Sequence, residues 1–209
     1  MEDNLENDPT QNPSGMDQNA ILFDESAFGE SYGVMGIGGA ASDRSANNDA
    51  DRVEELAESF ERVGEEYDLP PALLAGIASR ESHVGDVLGQ YGSQPGWGDH
   101  DNAYGMMQID QRHHTVDESN GPLGEANIEQ GAEILSGYRD DITEAHPDWT
   151  EAQQLRGAVT AYNSGVRNVQ TLGGLDQGTT GNDYSGDVWA RAQVFAEDVF
   201  DDDQECEQP

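Results

Sequence analysis

The sequence predicts a mainly α-helical α+β fold: a set of helices with a small irregular β-sheet, preceded by an acidic, largely disordered N-terminal segment. Three observations predict it. Apolar residues recur every three or four positions in several stretches from Asp49 onward, which is the signature of helical faces. The stretch 86–126 is instead rich in Gly, Asp and Asn, with only short apolar runs. Residues 1–20 are polar, acidic and dotted with Pro and Gly, a composition that cannot bury a core.

The elements follow in chain order. Residues 21–47 scatter Ile21, Leu22, Phe23, Phe28, Tyr32 and Val34 without a sustained period, leaving a packed arm or a linker open. Val53, Leu56, Phe60, Val63 and Tyr67 mark one helical face. Pro70-Pro71 break the chain and open a helix through Leu73, Leu74, Ile77 and Ala78 to about Ser82, since Pro suits a first helical turn. Loops surround a small β-element near 103–111. A helix from about Asn127 carries Ile128, Ile134, Leu135, Tyr138 and Ile142 and closes at His146-Pro147. Thr150-x-x-Gln153 is a capping-box pattern that opens a helix with Leu155, Val159 and Tyr162 on one face. A short helix near 165–171 follows. The last helix starts near Tyr184 and presents Val188, Ala192, Phe195 and Val199.

At 209 residues the chain is long enough for one domain with tails. The expected division is an acidic segment at 1–47, a folded domain at 48–200 and an acidic tail at 201–209. Leu, Ile, Val and Phe make up 36 residues, or 17%, which with a large net charge reads on composition alone as disorder; the periodicity argues otherwise. The formal net charge is -34, from 43 acidic residues against nine basic ones, all nine of them Arg. Such a chain repels a nucleic-acid backbone and an anionic membrane surface. No apolar run approaches the roughly 18 residues of a membrane span, so no membrane insertion is expected. Between residues 50 and 200 the net charge is still -20, so the acidity belongs to the folded surface. At about 1 M salt the Debye length shrinks to about 3 Å and self-repulsion fades, which suits an acid-rich, Lys-free protein to high salt. Cys206 is the one cysteine, so no internal disulfide forms within these residues. The N-terminal MEDNLENDPT lacks the basic region of a secretion signal, leaving another export route, a removed leader or release by lysis all open.

The chemistry gathers in three stretches. In GIASRESHVG (76–85), Glu81 ends an apolar helix. A carboxyl held against apolar walls keeps its proton to higher pH, as a general acid must. On the helix pattern alone, pairing with Arg80 or facing solvent is the plainer role. GWGDHDNAYGMMQID (96–110) then adds Asp99 and Asp110, with glycines for tight turns and with Trp97 and Tyr104 as flat faces for sugar rings. AYNSG (161–165) places an aromatic and an amide at a helix end. His83, His100 and the pair His113-His114 lack a clean spacing with a third ligand, so no metal and no cofactor are expected.

Together SRESHVG (79–85), GWGD (96–99), YGMMQID (104–110), AYNSG (161–165) and GTTGNDYSGDVWARAQ (178–193) resemble the goose-type lysozymes, over roughly residues 49–200. The SRES, GMMQI and AYNSG pieces are shared with lytic transglycosylases; GWGD and the Asp after MQI look specifically goose-type. The resemblance implies a mainly helical fold with a small β-element beside the cleft, and hydrolysis of the β-1,4 bond between N-acetylmuramic acid and N-acetylglucosamine in bacterial peptidoglycan glycan strands. It implies that Glu81 is the catalytic acid and that Asp99 and Asp110 position or activate water. His114, Tyr162, Asn163, Tyr184 and Gln108 would line the sugar subsites. An inverting mechanism needs about 6.5–9.5 Å between the acid and a water-holding carboxylate. A monomer acting outside the cell is expected.

Two departures stand out. Vertebrate members carry disulfides near the N-terminus, which a single cysteine cannot supply, a difference that bears on stability rather than chemistry. The connection LGQYGSQP (88–95), just before Asp99, looks longer than the family's usual one. Two rival functions use the same motifs. A transglycosylase would employ Glu81 alone and release anhydro-muramyl ends, and a non-catalytic peptidoglycan-binding protein would keep the cleft without turnover. Chitin, with its β-1,4 N-acetylglucosamine linkage, is a further substrate to consider.

Overall fold

Helix α3 (Pro71–Ser82) shows why the chain folds as it does. Ten of its twelve residues are buried, and the two that are not are Arg80 and Glu81. A helix apolar on all sides belongs at a centre, and Pro71 at its first turn starts it without losing a hydrogen bond. The computed structural model describes residues 17–29, 39–90 and 92–201. Around α3 lie α1 (Ala40–Glu55), α2 (Ala57–Tyr67), α4 (Glu125–Ala145), α5 (Glu151–Ser164) and α6 (Tyr184–Asp198). Helix α6 lies against α3 at Gly76, where a Cβ would meet the Val188 carbonyl oxygen at 2.8 Å and the Ala192 Cβ at 3.2 Å. The backbones touch there because no side chain intervenes.

The sheet is minimal. Strands β1 (Trp97–Gly98), β2 (Ala103–Tyr104) and β3 (Ile109–Asp110) pair antiparallel in that order, with Trp97 opposite Tyr104 and Tyr104 opposite Ile109. The expected β-element near 103–111 contains β2 and β3; β1 lies upstream of it. Helix α5 carries the expected capping box, with the Thr150 hydroxyl and the Gln153 side chain each satisfying the other's backbone N–H. The short helix expected near 165–171 is a 3-10 helix at Val166–Asn168.

Three expectations change. The first helix begins at Ala40, not near Asp49, because its upstream buried face is Ser42, Ala46 and Asp49, small or polar residues that hydropathy does not register. The face running from Val53 to Tyr67 is not one helix: it kinks at Leu56 (φ -114°, ψ 5°), between α1 and α2. Residues 17–28 are two 3-10 turns (Gln18–Phe23 and Glu25–Phe28), each capped by an aspartate, Asp17 or Asp24. Leu22, Ala27 and Phe28 are buried in the main core. The Trp189 indole N–H and the Gln193 amide both donate to the Leu22 carbonyl at 2.8 Å, and the Arg156 guanidinium lies 4.0 Å above the Phe28 ring. Packing therefore starts upstream of residue 48. Residues 1–16, Tyr32, Val34, the tail beyond Asp201 and Cys206 lie outside the described residues.

Candidate active site

The four residues Ser79-Arg80-Glu81-Ser82 leave α3 in four directions and tie it to four parts of the molecule. The Ser79 hydroxyl donates to Asp49 of α1 at 2.6 Å. Arg80 reaches Asp187 at 2.5 Å, and Asp183 and the Thr180 carbonyl at 3.0 Å. The Ser82 hydroxyl donates to the Met106 carbonyl at 2.8 Å, anchoring the segment between β2 and β3. Glu81 accepts a hydrogen bond from the Tyr184 hydroxyl at 2.5 Å. Tyr184, the first residue of α6, is itself buried.

This placement fixes the electrostatics of Glu81. Burial penalises its charged form and outweighs the hydrogen bond from Tyr184 and the charge of Arg80, so its pKa is pushed up to about 7. Burial also pushes the Tyr184 and Tyr162 hydroxyls well up, with the Glu81 charge adding to both. Both tyrosines therefore stay protonated donors beside the carboxyl. Tyr162 donates to the Met107 carbonyl at 3.0 Å. Just past Glu81, the chain turns through three successive positive-φ residues, His83, Val84 and Gly85. A β-branched residue such as Val84 rarely adopts that region, and this one is buried there. Strain of this kind, held by its surroundings, accompanies functional sites.

The small sheet carries the two aspartates. Asp99 follows β1 and opens a second left-handed run, Asp99-His100-Asp101. Asp110 ends β3. Arg112 joins them. Its Nη2 lies 2.6 Å from Asp110 Oδ2 and 3.5 Å from Asp99 Oδ2, while its Nε meets both Asp110 oxygens at 2.9 and 3.0 Å. The Arg112 side-chain hydrogen bonds hold the Asp110 carboxyl below the usual carboxylate range. Gln108 packs on β1 so closely that a Cβ on Gly98 would meet its amide oxygen at 2.4 Å.

Gln108, Asp110, Arg112, His113, His114, Tyr138, Tyr162 and Asn163 line one cavity of about 450 Å³. Of the eight residues expected at the site, Gln108, Asp110, His114, Tyr162 and Asn163 line it directly. Glu81 and Tyr184 form a hydrogen-bonded pair whose charge is felt at Tyr162 on the cavity wall, and Asp99 is linked through Arg112. Asn163 also exchanges two hydrogen bonds with Thr180, donating to its hydroxyl and accepting from its backbone N–H. Trp97 and Tyr104 do not offer flat faces to sugars. They are buried and pack on each other at 5.1 Å between ring centroids, so their apolar area holds β1 to β2. His83 pairs with Asp49 at 3.1 Å rather than facing a metal, and among the described residues no group of three His, Cys, Asp or Glu is placed to hold one.

Sequence reasoning missed Arg112 and the buried set behind Glu81. Asp187 accepts from Ser42, Arg80 and Arg191. It also missed Asn127, whose buried amide accepts from the Met107 N–H, and against which a Cβ on Gly105 would lie at 2.3 Å. A signal for Arg112 existed. Arg112 stands two residues after the motif aspartate Asp110, near enough in sequence for its side chain to turn back to that carboxylate.

A family model described as Lysozyme g matches residues 25–198. Lysozyme g of Casuarius casuarius is 42% identical over 172 residues, covering 82% of this chain and 88% of the relative. Lysozyme g of Gallus gallus is 42% identical over 163 residues, covering 78% of this chain and 74% of the relative. Lysozyme G of Dromaius novaehollandiae is 42% identical over 172 residues, covering 82% and 79%.

Proposed function

The chain belongs to the goose-type lysozyme family, a lysozyme and so a glycoside hydrolase, and from that premise we propose that it cleaves the β-1,4 bond between N-acetylmuramic acid and N-acetylglucosamine in bacterial peptidoglycan by inversion. Glu81 protonates the glycosidic oxygen, and water held by Asp99 and Asp110 attacks the opposite face of the sugar. The single observation that carries this reading is the setting of Glu81. Its carboxyl is half-buried at the end of an apolar helix and hydrogen-bonded by Tyr184, its charge is felt at Tyr162 on the wall of a polar cavity, and Asp110 on that same cavity is held below the usual carboxylate range. One carboxyl kept protonated and another kept charged is the division of labour that acid and water-holding base require. Gln108, His114, Tyr162 and Asn163 supply polar and aromatic contacts for N-acetyl sugars. The substrate supports extracellular action on cell walls, and the acidic surface supports a reading of adaptation to high salt.

The test is to digest purified peptidoglycan at high salt and identify the released ends by mass spectrometry, with Glu81→Gln alongside. Hydrated reducing ends are expected, falling by roughly 10²–10⁴-fold in the variant, the range a general acid contributes. Anhydro-muramyl ends would move the assignment to a transglycosylase. Folded protein that binds peptidoglycan without releasing anything would make it a binding protein.

A further inference from the structure

The exposed ion pairs between Arg112 and the two aspartates are placed where stability gains least from them. The Arg112, Asp99 and Asp110 side chains are 55%, 53% and 27% exposed, and such surface pairs contribute about 0–1 kcal/mol. Arg112 nevertheless gives Asp110 a two-pronged grip: Oδ1 receives Nε and the Arg112 backbone N–H, at 2.9 and 2.8 Å, while Oδ2 receives Nε and Nη2. The planar fork grips Asp110 bidentately through Nε and Nη2, and the same Nη2, with a second hydrogen to donate, also lies 3.5 Å from Asp99 Oδ2. Asp99 stands in the left-handed run 99–101, on a different strand end from Asp110. Two carboxylates brought to one site repel, and a cation shared between them offsets that repulsion.

We propose that Arg112 is a positioning residue for the hydrolytic reaction, joining Asp99 and Asp110 into a single water-holding unit on the cavity wall. The inference rests on the muramidase reading. In the step it serves, the water oxygen bonds to the anomeric carbon as the bond from that carbon to the glycosidic oxygen breaks. The departing oxygen takes the Glu81 proton, and the water's proton passes to the aspartate pair. Arg112 neither gives nor takes a proton; it fixes where the two acceptors stand. The groups that face this pair are Arg112, His113, whose charge when protonated acts on Asp110, and Tyr138, whose hydroxyl feels the Asp110 charge.

The test compares the full-length protein with Arg112→Gln and Arg112→Lys on uncross-linked glycan strands, reading kcat, KM, the pH profile, thermal unfolding and the chemistry of the released ends. For Arg112→Gln we expect kcat to fall roughly 100-fold, the scale of a misplaced reacting group. KM should move little, and so should the unfolding temperature. The acidic limb of the profile should move to higher pH as Asp110 loses its cation. Arg112→Lys keeps the charge and loses the fork, so it should hold the acidic limb near its wild-type position while recovering only part of kcat. An Arg112→Gln variant with wild-type kcat overturns the inference. So does a loss of kcat that tracks lowered thermal stability with the pH profile unmoved. Anhydro ends from the wild-type protein would overturn the muramidase reading itself, whereas hydrated ends together with an unaffected variant would overturn only the role of Arg112.

Discussion

At the scale of single residues, the site is governed by where one proton sits. As the proposed general acid, Glu81 must be protonated to act, and it loses that proton as pH rises through about 7, so the alkaline side of the activity profile should fall there. Tyr184 sets how high that limb lies. Its hydroxyl donates to the Glu81 carboxylate and so favours the charged form, pulling the pKa down against burial. Tyr184→Phe removes the donor and keeps the ring. The carboxyl should then hold its proton longer, and the alkaline limb should move up by roughly one pH unit, the worth of a hydrogen bond to a charged group. A pH-rate profile of the variant checks the sign. A limb that moves down would mean that the Tyr184 hydroxyl stabilises the protonated acid instead.

At the scale of elements, legibility followed chemistry. The faces of α3 through α6 were readable because Leu73, Leu74, Ile77, Ile128, Leu135, Leu155, Val159, Val188 and Phe195 are apolar, and they sit buried where the period put them. The start of α1 was not, because Ser42 and Asp49 are buried through hydrogen bonds to Asp187, Ser79 and His83, and no hydropathy pattern records a polar residue satisfied by a distant partner. The same limit hid the bridge from Arg112 to Asp99 across 13 residues of chain. Glu81, Asp99 and Asp110 were legible as chemistry, since each stands in a motif, but the burial that separates their roles depends on α6 and the sheet. The packing of residues 21–28 stayed open in the sequence because their hold is a few apolar side chains and donors from Trp189, Gln193 and Arg156. If that arm is part of the core, Leu22→Ala should cost about 2–4 kcal/mol, as buried leucines do, and lower the unfolding temperature by roughly 5–15 °C. A thermal melt within a degree of wild type would mean that the arm adds no stability.

At the scale of the whole molecule, a net charge of -34 works against a core with few large apolar residues. The arginines oppose it locally: Arg52, Arg62, Arg80, Arg112, Arg139, Arg156 and Arg191 each lie within ion-pair distance of a carboxylate. Salt acts on both sides of this balance. Screening weakens the exposed pairs, but these are worth about 0–1 kcal/mol apiece. The pair of Arg191 with Asp187 is buried and screened much less. Against that small loss stands the repulsion among all the unpaired carboxylates, which fades as the Debye length falls from about 10 Å at 0.1 M salt to about 3 Å at 1 M. The balance therefore favours salt, and both the unfolding temperature and the rate on peptidoglycan should rise across that range. Sucrose separates the two causes. It strengthens apolar burial by exclusion and screens nothing, so it should raise the melting temperature and leave the rate on an anionic wall unchanged, whereas sodium chloride should raise both. A rate that falls with sodium chloride would mean that the surface charge does not oppose encounter with the wall, and that the acidity of this lysozyme answers to something other than salt.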